Sequence, residues 1–248
     1  MSTSNKEGIA IKDWPKVAAL INSLPNPPRR QLYYGPPGTG KTTYAQSLVA
    51  EFEDITLTPG QFPDVLFGKF LLKDGSTHWA HGTASRAALK GCPLIVNEIH
   101  KASSELDSAM NSVLDDSTVA RFSLDNGEVI VPKDGYRVIA TMNGSPDQLP
   151  DTWQDRFDCI IKCNTPHEGL LRRLSPEAAA FIVNQMANAP DHDEWVPTPS
   201  PRKFLAWENF RAQGVSDELA ADIVFGEAQG KTILMALVDA ARNNIRSK

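Results

Sequence analysis

The sequence predicts an α/β fold: a parallel sheet with helices on both faces, carrying two inserted β-hairpins and followed by a small helical domain. Three observations predict it. Short apolar runs alternate with segments of helical periodicity as far as about residue 163, the pattern of crossover connections between parallel strands. A glycine-rich loop joins the first such run to a helix. From His167 onward the signals are helix starts alone, such as Ser175-Pro176-Glu177 and Pro199-Ser200-Pro201-Arg202.

Taken in order, Asp13 to Leu24 reads as a leading helix that ends before Pro25-Asn26-Pro27-Pro28, a stiff linker. Gln31-Leu32-Tyr33-Tyr34 reads as a buried strand, and Lys41 to Phe52 as a helix with Ala45, Leu48, Val49 and Phe52 on one face. Asp54 to Thr58 is a second strand. Pro93-Leu94-Ile95-Val96 is apolar throughout, as expected of a central strand covered on both sides. Ser104 to Leu114 has helical spacing, and Ser104-x-x-Asp107 resembles a capping box. Tyr136 to Thr141 and Cys159 to Lys162 complete the strands. The hairpins turn at Lys73-Asp74-Gly75-Ser76 and at Asp125-Asn126-Gly127. A helix over Ala178 to Ala187 and a last one from Lys231 to Arg246 belong to the C-terminal part.

Composition bounds the function. A chain of 248 residues with 41% hydrophobic and 22% charged residues can bury a full core. No apolar run approaches the roughly 18 residues of a membrane span, and Met1 to Glu7 lacks a secretory layout, so a cytoplasmic setting is expected. A net charge of −5 disfavours nonspecific binding to nucleic acid. Cys92, Cys159 and Cys163 read as core thiols, and the five histidines (His78, His81, His100, His167 and His192) have no metal-ligand spacing. No nucleophile elbow supports a Ser-His-Asp hydrolase.

The chemistry lies in Gly35-Pro36-Pro37-Gly38-Thr39-Gly40-Lys41-Thr42-Thr43. Gly35, Gly38 and Gly40 free the backbone to aim successive N–H groups at phosphate oxygens beside a helix N-terminus. Lys41 reaches the outer phosphates of ATP, and the Thr42 hydroxyl ligates Mg²⁺. After the apolar strand come Asn97-Glu98, where the first side chain holds a metal-bound water and the carboxylate of Glu98 orients or deprotonates the attacking water.

The order of these segments with Asp64-Val65-Leu66-Phe67-Gly68, Gly82-Thr83-Ala84, Asn97-Glu98-Ile99-His100-Lys101-Ala102, Ala140-Thr141-Met142-Asn143, Asp155-Arg156-Phe157 and Ser200-Pro201-Arg202 resembles a MoxR-type or dynein-related AAA+ ATPase, from about Arg30 to about Phe210. The resemblance implies an N-terminal helix and linker over 1–29, a nucleotide-binding α/β domain over 30–165 and a helical lid over 166–248. It implies Asn143 as first sensor, Arg156 as the arginine finger acting on a neighbouring subunit, and Arg202 as the lid's second sensor, where a surface arginine and an ion-paired helix-start arginine are the plainer alternatives. It also implies ATP and ADP with Mg²⁺, a ring, by expectation a hexamer, and chaperone-like remodelling of a partner protein. A nucleotide-gated scaffold with little hydrolysis and a motor on nucleic acid are the alternatives. One departure stands out: the family has aspartate where this chain has Asn97, which predicts weaker metal positioning and slow turnover.

Overall fold

The computed structural model describes residues 14–116, 120–188 and 199–246, with side chains described as far as 239. The N-terminal segment Met1 to Glu7, Asp13 and His192 lie outside the described residues. The α/β part runs α1 (Trp14–Asn22), β1 (Arg30–Tyr34), α2 (Lys41–Ser47), β2 (Glu53–Thr56), α3 (Asp64–Phe67), β3 (Gly68–Lys73), β4 (Ser76–His81), α4 (Thr83–Lys90), β5 (Leu94–Asn97), α5 (Asp107–Val113), β6 (Phe122–Ser123), β7 (Val129–Ile130), β8 (Val138–Met142), α6 (Asp151–Gln154) and β9 (Cys159–Lys162). The helical part is α7 (Glu168–Leu171), α8 (Pro176–Ala187), α9 (Pro201–Ala212), α10 (Asp217–Phe225) and α11 (Glu227–Arg246).

Among the described residues, five strands form one sheet in the order β2-β5-β8-β1-β9, every pair parallel. Because side chains alternate across a strand, the apolar runs feed two cores. Leu32, Leu94, Val96, Val138 and Ala140 pack on one face with α4 and α5. Tyr33, Ile95, Ile139 and Ile161 pack on the other with α1 and α2. Gln31 is fully buried, yet its amide is satisfied: Oε1 accepts from Tyr33 Oη at 2.7 Å, and Nε2 donates to Asn22 Oδ1 and Pro28 O. These bonds tie α1 to the sheet. A third core, built on Phe204, Ile182, Trp207 and Phe225, holds α8 to α11 together.

Several helices end where local chemistry dictates. Ser175 and Ser216 accept backbone N–H groups at the starts of α8 and α10, and Pro176 and Pro201 occupy first-turn positions. Gly91, at φ 74°, ends α4. The hairpin β3–β4 turns through Asp74 and Gly75, both at positive φ, as a two-residue turn requires.

The structure differs from the sequence reading in its helices more than its strands. The expected Lys41 to Phe52 helix stops at Ser47, whose hydroxyl donates to Tyr44 O and competes with the ladder there; Leu48 and Phe52 still pack on the core. The expected Ser104 to Leu114 helix opens instead as a 3-10 turn over Ser104–Leu106 with Ser103 at its cap, and Ser104 bonds Glu105 rather than closing a capping box. Helices α3 and α4 were anticipated only through the family resemblance, in which the first hairpin interrupts the second helix, and α6, α7 and α10 not at all. The first two flank β3–β4, whose insertion splits the helical periodicity on which detection depends. The second hairpin is shorter than expected, with two residues paired on each side.

Candidate functional site

The sheet order builds the site. Strands β5, β8 and β1 are neighbours in register, Val96 opposite Ala140 and Tyr34 opposite Met142, so the segments leaving their C-terminal ends emerge side by side. Ligand sites of open parallel sheets lie at such ends. A cleft of about 360 Å³ opens there, walled by Gly38, Lys41 and Thr42 of the glycine loop, Glu98 and Asn143, and Arg202 of α9. Pro37, Gly40 and Thr43 also line it.

The glycine loop has the conformation its sequence demands. Gly35, Gly38 and Gly40 have φ of 131°, 82° and 93°, values that side chains rarely tolerate. A Cβ on Gly38 would meet Pro201 Cδ of α9 at 2.9 Å, and one on Gly40 would meet His167 Cβ at 3.1 Å. The loop is thus packed directly against the start of α9 and the segment leading to α7. Thr39 is buried and donates to Pro36 O, and its own carbonyl accepts from His167 N.

Lys41 lies at the base of the cleft, 6% exposed. Its Nζ donates to Gly35 O and Pro36 O, both at 2.8 Å, and to Asn143 Oδ1 at 3.0 Å. Burial pushes its pKa down to about 8. Asn143 turns its other face to the carboxylate, donating from Nδ2 to Glu98 Oε1 at 3.0 Å. One amide therefore joins the loop lysine to the carboxylate.

A second network lies beneath it. Thr42 Oγ1 and Thr141 Oγ1 donate to Asn97 Oδ1 at 2.9 and 3.0 Å. Asn97 is 6% exposed, so it acts as a buried acceptor fixing the Thr42 hydroxyl. A hydroxyl and an amide oxygen beside a site for phosphates are hard donors that suit Mg²⁺, which keeps several waters and borrows phosphate oxygens. Among the described residues no cluster of three or more His, Cys, Asp or Glu forms an all-protein metal cage.

Glu98 stands at φ 55° and ψ 42°, a left-handed conformation of the kind that collects at functional positions. The kink ends β5 and starts the 3-10 turn Ile99–Lys101. It leaves Oε2 buried without an aligned hydrogen-bond donor. Lys101 Nζ is nevertheless 3.0 Å from that oxygen, close but off-axis, and His100 Nε2 is 3.7 Å away. Burial holds His100 below its ordinary pKa.

Not every expected residue meets in the cleft. Arg202 does, on the first turn of α9. Arg156 does not: its guanidinium bonds Asp115 Oδ1 at 3.2 Å and Thr152 O at 2.7 Å on another part of the surface. Gly35, Pro36, Thr39 and Asn97 are not among the residues that line the cleft. Conversely, Lys101, Thr141, Leu170 and Leu205 line the cleft without having been singled out. A buried threonine two residues before Asn143 and a lysine three after Glu98 were the available signals.

The other candidates resolve into packing. Cys92 and Cys163 are buried free thiols and Cys159 is partly buried, with burial raising all three pKa values. Trp79 packs against the core and edge-on to Phe70, and its indole donates to His81 Nδ1 at 3.2 Å. No helix among the described residues is long and apolar enough to cross a membrane.

Comparison with known proteins accords with this geometry. Over 130 residues the chain is 28% identical to Protein NorQ of Paracoccus denitrificans (strain Pd 1222), which is 51% of this chain and 46% of the relative. The chain thus matches under half the length of that protein. Crystal structures of NtrX from Brucella abortus, one of them in complex with ADP, superpose with TM-scores of 0.49 and 0.48 at 15% and 14% identity. They cover 91% of this chain and 67% and 66% of theirs, and are too distant to inform function. Residues 32–157, from β1 to the end of the Asp155-Arg156-Phe157 motif, match the AAA domain of the dynein-related subfamily. That span is half of the chain and holds the glycine loop, Asn97-Glu98 and Asn143, and it shows that the chain belongs to the dynein-related subfamily of AAA domains.

Proposed function

We propose that the chain is an ATP-hydrolysing AAA+ ring ATPase that remodels or activates a partner protein. The observation that carries the reading is the continuous link Lys41–Asn143–Glu98 across the cleft, beside the Thr42–Asn97 pair. On this reading the loop's backbone N–H groups and Lys41 grip the phosphates, and Arg202 reaches them from α9. A Mg²⁺ ion at Thr42 and Asn97 would neutralise charge on the phosphate oxygens. Asn143 holds Glu98 by Oε1, which leaves Oε2, with Lys101 Nζ beside it but off-axis, to accept a proton from a water. Arg156, tied within its own subunit and away from its own cleft, suits a group offered to a neighbour in a ring, by expectation a hexamer. The cytoplasm, where ATP is at hand, is the setting this reading requires.

The hairpin β3–β4 supports engagement of a protein. Phe70, Leu71 and Leu72 are 54%, 46% and 79% exposed, more apolar surface than its polar turn suggested. A second reading, a nucleotide-gated scaffold with little hydrolysis, is favoured by the neutral Asn97 alone. The Glu98→Gln variant decides between them. It should bind ATP as the unaltered chain does, lose turnover by about 10²-fold or more, and retain a protein partner in affinity capture that shortening β3–β4 abolishes. Equal phosphate release by both forms would remove Glu98 from the mechanism, and retention of nucleic acid alone would sink the remodelling role.

A further inference from the structure

We propose that Lys101 is the counter-ion of Glu98, a positioning residue that offsets the carboxylate's charge so that it can face a polyphosphate in the same cleft. The inference rests on the nucleotide reading above and adds a residue to it. The backbone makes the pairing. Glu98 leaves β5 in the left-handed region, the chain reverses through a 3-10 turn, and Lys101 N closes that turn on Glu98 O at 2.8 Å. The reversal returns the lysine side chain to the carboxylate three residues earlier, with Nζ 3.0 Å from Oε2.

Among the described residues no other lysine or arginine lies within 4.0 Å of the Glu98 carboxylate. Lys41 has its three hydrogens directed at Gly35 O, Pro36 O and Asn143 Oδ1. Asn143 serves Oε1 but carries no charge, and His100 Nε2 stands further off, at 3.7 Å. Both Glu98 and Lys101 line the cleft. A triphosphate bound there would meet the carboxylate as a like charge unless Lys101 remained beside it. At separations of several ångströms in a half-buried site, that repulsion corresponds to about a tenfold loss of affinity.

The test is a double-mutant cycle read by binding rather than turnover. Dissociation constants for a non-hydrolysable ATP analogue with Mg²⁺ are measured for the unaltered chain, Lys101→Met, Glu98→Gln and the double variant, with melting temperatures to establish folding. Lys101→Met should weaken binding about tenfold, the same change in the Glu98→Gln background should have an effect of about twofold or less, and Lys101→Arg should restore affinity. Lys101→Gln serves in place of Lys101→Met should the latter not fold. Equal weakening in both backgrounds would overturn the proposal by making Lys101 a direct phosphate ligand, and no weakening in either would make it a bystander. Failure of the unaltered chain to bind the analogue would overturn the nucleotide reading and this inference with it.

Discussion

Replacing Asn97 by aspartate restores a charge at the position where this chain departs from its family's pattern. The geometry accepts the change, since Oδ1 already receives hydroxyl hydrogens from Thr42 and Thr141, and a carboxylate accepts such bonds more strongly than an amide. The new charge would stand beside a divalent cation held at Thr42, a gross attraction of several kcal/mol at an effective dielectric near 20. Burial at 6% exposure takes back a large share, leaving about 1–2 kcal/mol net. Half-saturating Mg²⁺ should therefore fall by about tenfold, with a higher rate of phosphate release at limiting metal. The sign reverses without metal: a buried charge with no cation costs about 1 kcal/mol or more, so the melting temperature should drop by roughly 2–4 °C and recover when Mg²⁺ and ATP are added. A Mg²⁺ titration of ATPase activity, paired with thermal unfolding in EDTA, reads both effects. An Asn97→Asp protein with unchanged metal dependence and unchanged metal-free stability would refute the argument that Asn97 sits beside the metal.

Other perturbations test separate parts of the structure. Arg156→Ala should bind ATP normally and hydrolyse it poorly, and mixing it with Glu98→Gln subunits should recover part of the activity; a species monomeric with and without ATP would end the trans-acting role. Phe204, fully buried between Phe181 and Phe225 at centroid distances of 5.4 and 5.2 Å, should cost about 3–5 kcal/mol when cut to alanine, measured by urea unfolding. Asp158 is pushed up by burial but held below the ordinary aspartate range by its bonds from Arg30 and the Arg29 amide. A depressed carboxylate adds stability that is complete above its unfolded value, about 4, and is lost as the pH falls through the folded one. The melting temperature should accordingly decline below about pH 4, and less steeply in Asp158→Asn.

The sequence alone determined the sheet and the glycine loop, because both rest on local chemistry. Apolar runs such as Leu94-Ile95-Val96 bury both faces of a strand wherever they occur, and the glycines at 35, 38 and 40 occupy conformations that hardly any other residue adopts. Asp74-Gly75 fixed its hairpin for the same reason. What only the tertiary structure decided is which side chains face one another across long stretches of chain. Asn143 meets both Lys41 and Glu98 because β8 lies between β1 and β5 in the sheet. Lys101 and Thr141 join the cleft through a left-handed kink and a strand register that no periodicity reports. Helix α3, at four residues, is too short for an amphipathic pattern to show, and α4 carries its apolar face only in the small side chains Ala84, Ala87 and Ala88. They exist because α3 and α4 pack against the sheet on either side of an inserted hairpin, and that packing is a property of the assembled core rather than of the segments themselves.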